Sequence, residues 1–181
     1  MTVPTFNAIG FCAHYSDHGD WAFDYALRLA RDNSLTLNVF HFLCDPYDSA
    51  ARTPDDLSKE ELDRLVIDQE RELRLYYDQR AGDYLDVGFR LCYDDSWKEL
   101  HRCLMIREFQ LLVLGYPDYA AFFSKKPIEE FANSFVSPVV LIGPERPDQY
   151  WLNTQAALLS DRLGVKDKNW SKIDHNIVPH R

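Results

Sequence analysis

Phe6-Asn-Ala-Ile-Gly-Phe-Cys-Ala-His14 is a short apolar run closed by turn-forming residues, which is how a strand buried on both faces reads. A helix is expected next, capped by Asp17 or Asp20, with Ala22, Ala26, Leu29 and Ala30 recurring at helical spacing and Phe23 and Leu27 widening the stripe. It should end near Asn33-Ser34, where Leu35-Thr-Leu-Asn-Val-Phe-His-Phe42 opens a second strand of β-branched and aromatic residues without proline. Strand, helix and strand within this stretch are the unit of a parallel sheet, because a parallel neighbour needs a crossover long enough to hold a helix.

The rest of the chain repeats the alternation. A loop rich in Asp, Pro and Ser covers 45–56, and Ser58 with Glu61 then forms a capping box. Leu62, Leu65, Val66, Gln69, Leu73, Tyr76 and Tyr77 follow at steps of three and four as one face of a long helix that Gly82 closes. Tyr84–Cys92 reads as a third strand, and its polar Asp86, Gly88 and Arg90 place it at a sheet margin. Ser96 and Glu99 suggest a second capping box for a helix with Trp97, Leu100, Leu104 and Phe109 inward. Gln110-Leu-Leu-Val-Leu-Gly115 is a fourth strand. Pro127 opens a helix with Ile128, Phe131, Ala132 and Phe135 inward, and Pro138–Gly143 is a fifth strand. Nearly all-apolar strands between helices predict an α/β, doubly wound, five-stranded parallel sheet. Pro144-Glu-Arg-Pro147 ends the pattern. Residues 1–144 are therefore read as one domain and 145–181 as a helical extension, in which Leu152, Ala156, Leu159 and Leu163 share a face.

Composition narrows the function classes. A net charge of −9 repels phosphate backbones, so nucleic acid is not an expected partner. No apolar run reaches the roughly 18 residues that span a bilayer. Met1-Thr2-Val3-Pro4-Thr5 lacks the features of an export leader, so the expected location is the cytoplasm. Cys12, Cys44, Cys92 and Cys103 include no Cys-x-x-Cys pair, and buried reduced thiols are their simplest reading. Cys12 and His14 would share a strand face, with His41, Cys44 and Cys92 near the ends of neighbouring strands, so a metal- or redox-responsive site is one alternative. No Gly-x-Ser-x-Gly elbow, His-Glu-x-x-His or Rossmann fingerprint occurs, so no catalytic residue is assigned and no enzyme activity is expected.

Three segments resemble the universal stress protein family: the first strand and helix, with Ser16 between them and Trp21–Ala30 following; Leu112-Val-Leu-Gly115; and Phe131-Ala-Asn-Ser-Phe-Val-Ser-Pro-Val-Val-Leu-Ile142. The resemblance covers about residues 5 to 143. It implies strand order 3-2-1-4-5, a homodimer often joined through the last strand, a stress-response role and, in one branch, ATP held between the first and fourth strands. Strand ends where the winding reverses are also where open α/β sheets bind ligands on general grounds.

That branch places an aspartate just after the first strand; His14 stands here, with Ser16 two residues on. Its phosphate loop runs Gly-x2-Gly-x9-Gly followed by Ser or Thr. Gly115 fits the first glycine, Asp118 occupies the second, and Lys125-Lys126 fall near the last pair after a shorter loop. Glycines let backbone N–H groups turn toward phosphate, whereas a carboxylate at Asp118 would cost about 1 to 4 kcal/mol beside one. The leading expectation is a non-catalytic, regulatory or stress-response protein that has lost ordinary ATP binding and works through a protein partner. The alternative is a nucleotide- or anion-binding module using His14, Ser16, Gly115, Ser124, Lys125 and Lys126. Tyr116, Tyr119, Phe122 and Phe123 crowd the same loop and would fill the pocket or stack on a flat ligand.

Overall fold

A computed structural model describes residues 6–50, 54–165 and 170–173. Residues 1–5, on which the expected location rested, and the end of the extension lie outside the described residues. Strands β1 (Ala8–Cys12), β2 (Thr36–Phe42), β3 (Val87–Cys92) and β4 (Leu111–Gly115) alternate with helices α1 (Asp17–Asn33), α2 (Lys59–Ala81) and α3 (Ser96–Met105). A two-stranded hairpin follows, β5 (Phe122–Phe123) with β6 (Lys126–Pro127), then α4 (Ile128–Ser134) and β7 (Val139–Ile142). The extension supplies β8 (Tyr150–Leu152), α5 (Thr154–Ala157) and β9 (Trp170–Lys172).

The main sheet runs β3-β2-β1-β4-β7-β8-β9. Its first five strands are parallel and reproduce the expected order 3-2-1-4-5, with β3 at a margin. Alternate residues explain why both faces are covered. Ile9, Phe11, Leu37, Val39, Leu111, Val113, Val140 and Ile142 face a core shared with Phe23, Leu73 and Tyr77 of α1 and α2. Phe40, Phe42, Leu112, Leu114, Val139 and Leu141 face a second core with Leu100 of α3 and Phe131 of α4.

The extension departs from expectation. Beyond its short helix it adds two strands, β8 antiparallel to β7 and β9 parallel to β8, so the sheet has seven strands instead of five. The outer edge of β7 is therefore paired within the chain. Asn153 fastens the junction: its Oδ1 accepts from Val139 N and Ala156 N at 3.0 and 2.9 Å, while Nδ2 donates to the carbonyls of Ala132 and Ser137 at 2.8 and 2.9 Å. Ala156 and Leu163 bury on the α1 side, but the expected helical face is broken up, since Leu152 lies in β8 and α5 ends before Leu159 and Leu163; the Tyr25 hydroxyl donates to Leu163 O at 2.8 Å.

Helix starts differ in the residue that caps them. Ser16, rather than Asp17 or Asp20, caps α1 by accepting from Gly19 N. Ser58 and Glu61 form the expected capping box of α2. At α3 the cap is Asp95, which accepts from Lys98 N, and Ser96 is the first helical residue. The expected Ser96–Glu99 box is absent because Ser96 Oγ bonds Ser124 Oγ at 2.6 Å and Glu99 pairs with Arg102.

Candidate functional site

The C-terminal ends of β1 and β4 are pressed against the start of α1. A Cβ built on Gly19 would lie 1.8 Å from His14 O, and one on Gly115 would lie 2.9 Å from His18 O, so neither position admits a side chain without backbone movement. The 45–56 loop then folds Tyr47 over this junction. Its hydroxyl donates to Gly115 O at 2.9 Å, and its ring sits between His14 and Phe123, with centroids 4.3 and 5.0 Å away. Burial, then the neighbouring Cys12 and Asp45, pushes the Tyr47 phenol well up, so it stays a donor.

Residues 116–127 form no open glycine loop. Tyr116 and Phe123 are fully buried; the Tyr116 hydroxyl donates to Glu129, and the Phe123 ring lies 4.5 Å from that of Phe131. Tyr119 packs edge-on against Tyr116 and Trp151. Asp118 holds a turn by accepting from Ala120 N at 2.6 Å. Ser124 and Lys125 are the two turn residues of the β5–β6 hairpin, with φ of 54° and 64°. These are the left-handed values that tight hairpins demand, met here without glycine.

The six candidate ligand residues are dispersed. His14 Nδ1 and Ser16 Oγ share a hydrogen bond of 2.6 Å at the start of α1, and Gly115 lies under Tyr47. Ser124 is tied to Ser96 and, through its N–H, to Pro46 O at 2.8 Å. Lys126 places Nζ 3.7 Å from the centroid of the Trp97 ring, a cation–π contact. Ser124 and Lys125 line a groove of about 240 Å³ with Cys44, Asp45, Asp55 and Asp95, whose carboxylates oppose an anion.

A larger cavity, about 420 Å³, opens at the ends of β1 and β2 beneath α2. His14, Tyr15, His41, Asp45, Gln69 and Glu72 are among its lining residues. His41 Nε2 donates to Gln69 Oε1 at 2.7 Å. Burial lowers both imidazole pKa values from 6.5, against the opposing pull of Asp45 on His14 and of Gln69, Glu72 and Asp45 on His41. Burial, then Glu72 and Tyr76, pushes the Tyr15 phenol up to about 12.

The sulfur and imidazole candidates do not converge. Among the described residues no group of three or more His, Cys, Asp or Glu side chains is placed to hold a metal ion. Cys12, Cys92 and Cys103 sit in the α3–α4 core, where burial raises their thiol pKa values, that of Cys103 to about 11, which leaves little reactive thiolate. Among the described residues no helix is long and apolar enough to cross a membrane.

No protein-family model matches the sequence, and no curated protein does. Solved structures do. A universal stress family protein from Burkholderia pseudomallei superposes with a TM-score of 0.52 at 21% identity, over 75% of this chain and 95% of its own. A universal stress protein in complex with cAMP gives 0.51 at 16% identity, over 77% and 99%. One from Archaeoglobus fulgidus gives 0.50 at 12% identity, over 77% and 100%. The chain has the universal stress protein fold. These identities establish a shared architecture and leave the site to be judged on this chain's own residues. On those grounds Tyr47 is the residue of this site that its sequence did not mark as functional. It was the single aromatic in an otherwise Asp-, Pro- and Ser-rich loop, and that isolation was the available signal.

Proposed function

We propose that this is a non-catalytic regulatory protein of the universal stress type, in which the crevice between β1 and β4 is filled by its own side chains instead of ATP. The observation that carries this reading is Tyr47, whose hydroxyl occupies Gly115 O while its ring is held between His14 and Phe123. A triphosphate needs a ring of inward-facing backbone N–H groups. The corresponding segment here is a hairpin packed on buried aromatics, with an acidic groove beside it. Stress-responsive regulation through a protein partner in the cytoplasm is the role that fits such a fold without a nucleotide, and the buried thiols of Cys12, Cys92 and Cys103, which form no disulfide, suit a reducing compartment. Any homodimer of the full chain would use a surface other than the edge of β7, because β8 occupies it.

Calorimetric titration with ATP and Mg²⁺, together with a thermal-shift assay, tests the proposal. The expected outcome is no saturable heat and no rise in melting temperature. Saturable ATP binding at micromolar concentration would show that Tyr47 and the hairpin yield, and would restore the nucleotide-binding alternative. Because one structural neighbour was solved with cAMP, that monophosphate belongs in the same titration, with the same null result expected.

A further inference from the structure

The main sheet ends on one side in β3, and among the described residues no strand pairs with its outer edge. Which backbone groups are left there follows from the register with β2. The carbonyls of Asp86 and Cys92 accept from Leu37 N and Leu43 N at 2.9 and 3.0 Å, so the N–H and C=O groups of even-numbered residues point inward. Those of Leu85, Val87, Phe89 and Leu91 therefore point outward. An open row of this kind is a template for another strand, and natural edges are blunted by proline, lysine or short length. β9, at the other end of the sheet, is three residues long and carries Lys172. β3 has six residues, with neither proline nor lysine among them, and just before it stands Leu85, which is 92% exposed.

The charges on this strand single out one partner. Asp86 and Arg90 share the face of the sheet on which Cys92 is buried with α3. Asp86 is exposed and accepts from Thr36 Oγ1 at 3.0 Å, while Arg90 pairs with Glu108 and is 37% exposed, so each keeps hydrogen-bonding capacity. When a second copy is set antiparallel about a twofold axis at Gly88, outward groups meet outward groups. Val87 then exchanges hydrogen bonds with Phe89 of the other copy, and Leu85 with Leu91. Asp86 faces Arg90, twice, in the closer pairs that exchange no backbone bonds. A slip of one residue sets outward groups against inward ones. A slip of two sets both charges against uncharged positions, and a slip of four sets Asp86 against Asp86 or Arg90 against Arg90. Apolar surface flanks the same edge: Ile67 is 57% exposed and lies one heptad before Arg74, whose guanidinium sits 5.3 Å over the Phe89 ring.

We propose that the partner of the β3 edge is a second copy of this chain, joined in that one register into a closed dimer with a continuous sheet. The dimer does not rest on the filled crevice, and ATP binding would leave it untouched. Sedimentation velocity of the full chain at about 50 µM tests it, and a dimer is expected. Asp86→Lys and Arg90→Asp should each weaken that dimer about tenfold or more, because each sets like charges opposite one another in both pairs. Glu130→Lys, on the exposed surface of α4, should leave it unchanged. An equimolar mixture of Asp86→Lys and Arg90→Asp chains should recover the dimer, since both pairs are then opposite in sign. Far-ultraviolet circular dichroism checks the fold of each variant. Should Arg90→Asp fail to fold beside Glu108, Arg90→Gln mixed with Asp86→Lys still relieves both repulsions. A monomer at that concentration, a dimer that either charge reversal on β3 leaves intact, or a mixture no tighter than its components overturns the assignment.

Discussion

His14 and His41 sit where charge is costly, and that cost has a measurable sign. Both have folded-state pKa values below the ordinary 6.5, with burial the leading cause. Above that pH they are neutral in both states and do not alter stability. As pH falls below it the unfolded chain takes up protons that the folded chain refuses, so unfolding becomes progressively easier until the folded-state pKa values are passed. Urea midpoints should therefore drop between pH 7.5 and 5.5, and His41→Gln should flatten part of that drop. An identical slope in the variant would mean that His41 accepts its proton without penalty. Neither histidine's environment was legible in the sequence: the spacing placed them near strand ends, but Gln69 and Tyr47, which decide their surroundings, come from a different helix and a loop.

At the scale of elements, legibility followed burial. β1, β4 and β7 are continuous buried runs because both faces are covered, β2 keeps a buried apolar residue on each face between its polar ones, and all four were read directly. β8 and β9 were not, since three-residue strands carry no periodicity that distinguishes them from loop. The hairpin escaped for another reason. Ser124-Lys125 lacks the Asn-Gly signature of its turn, and both residues hold a left-handed backbone that costs an L side chain about 1 kcal/mol or more. Lys125→Gly should remove that strain and raise stability by about 0.5 to 1 kcal/mol in urea denaturation, after allowing for glycine's greater unfolded-state freedom. Destabilisation would instead reveal that the Lys125 side chain contributes among the carboxylates of its groove. The Ser124 hydroxyl is best left intact, because its bond to Ser96 joins the hairpin to the start of α3.

For the molecule as a whole, the question is whether the extension is an appendage or part of one cooperative unit. Its sequence, after Pro144-Glu-Arg-Pro147, suggests the former. The pairing of β8 on β7, the burial of Leu152, Leu163 and Ile173, and the four hydrogen bonds of Asn153 argue the latter. Asn153 is 2% exposed, so truncating it leaves two buried N–H groups and two buried carbonyls without that partner. Asn153→Ala should cost about 3 kcal/mol or more, well above a typical surface substitution. Tryptophan position gives the matching probe, because Trp21 belongs to α1 and Trp151 to β8. Variants retaining one or the other should report the same unfolding midpoint, and Asn153→Ala should lower both together. If Trp151 instead melts first while Trp21 and the far-ultraviolet signal persist, the extension unfolds independently, and the edge of β7 would then be free to pair with another chain.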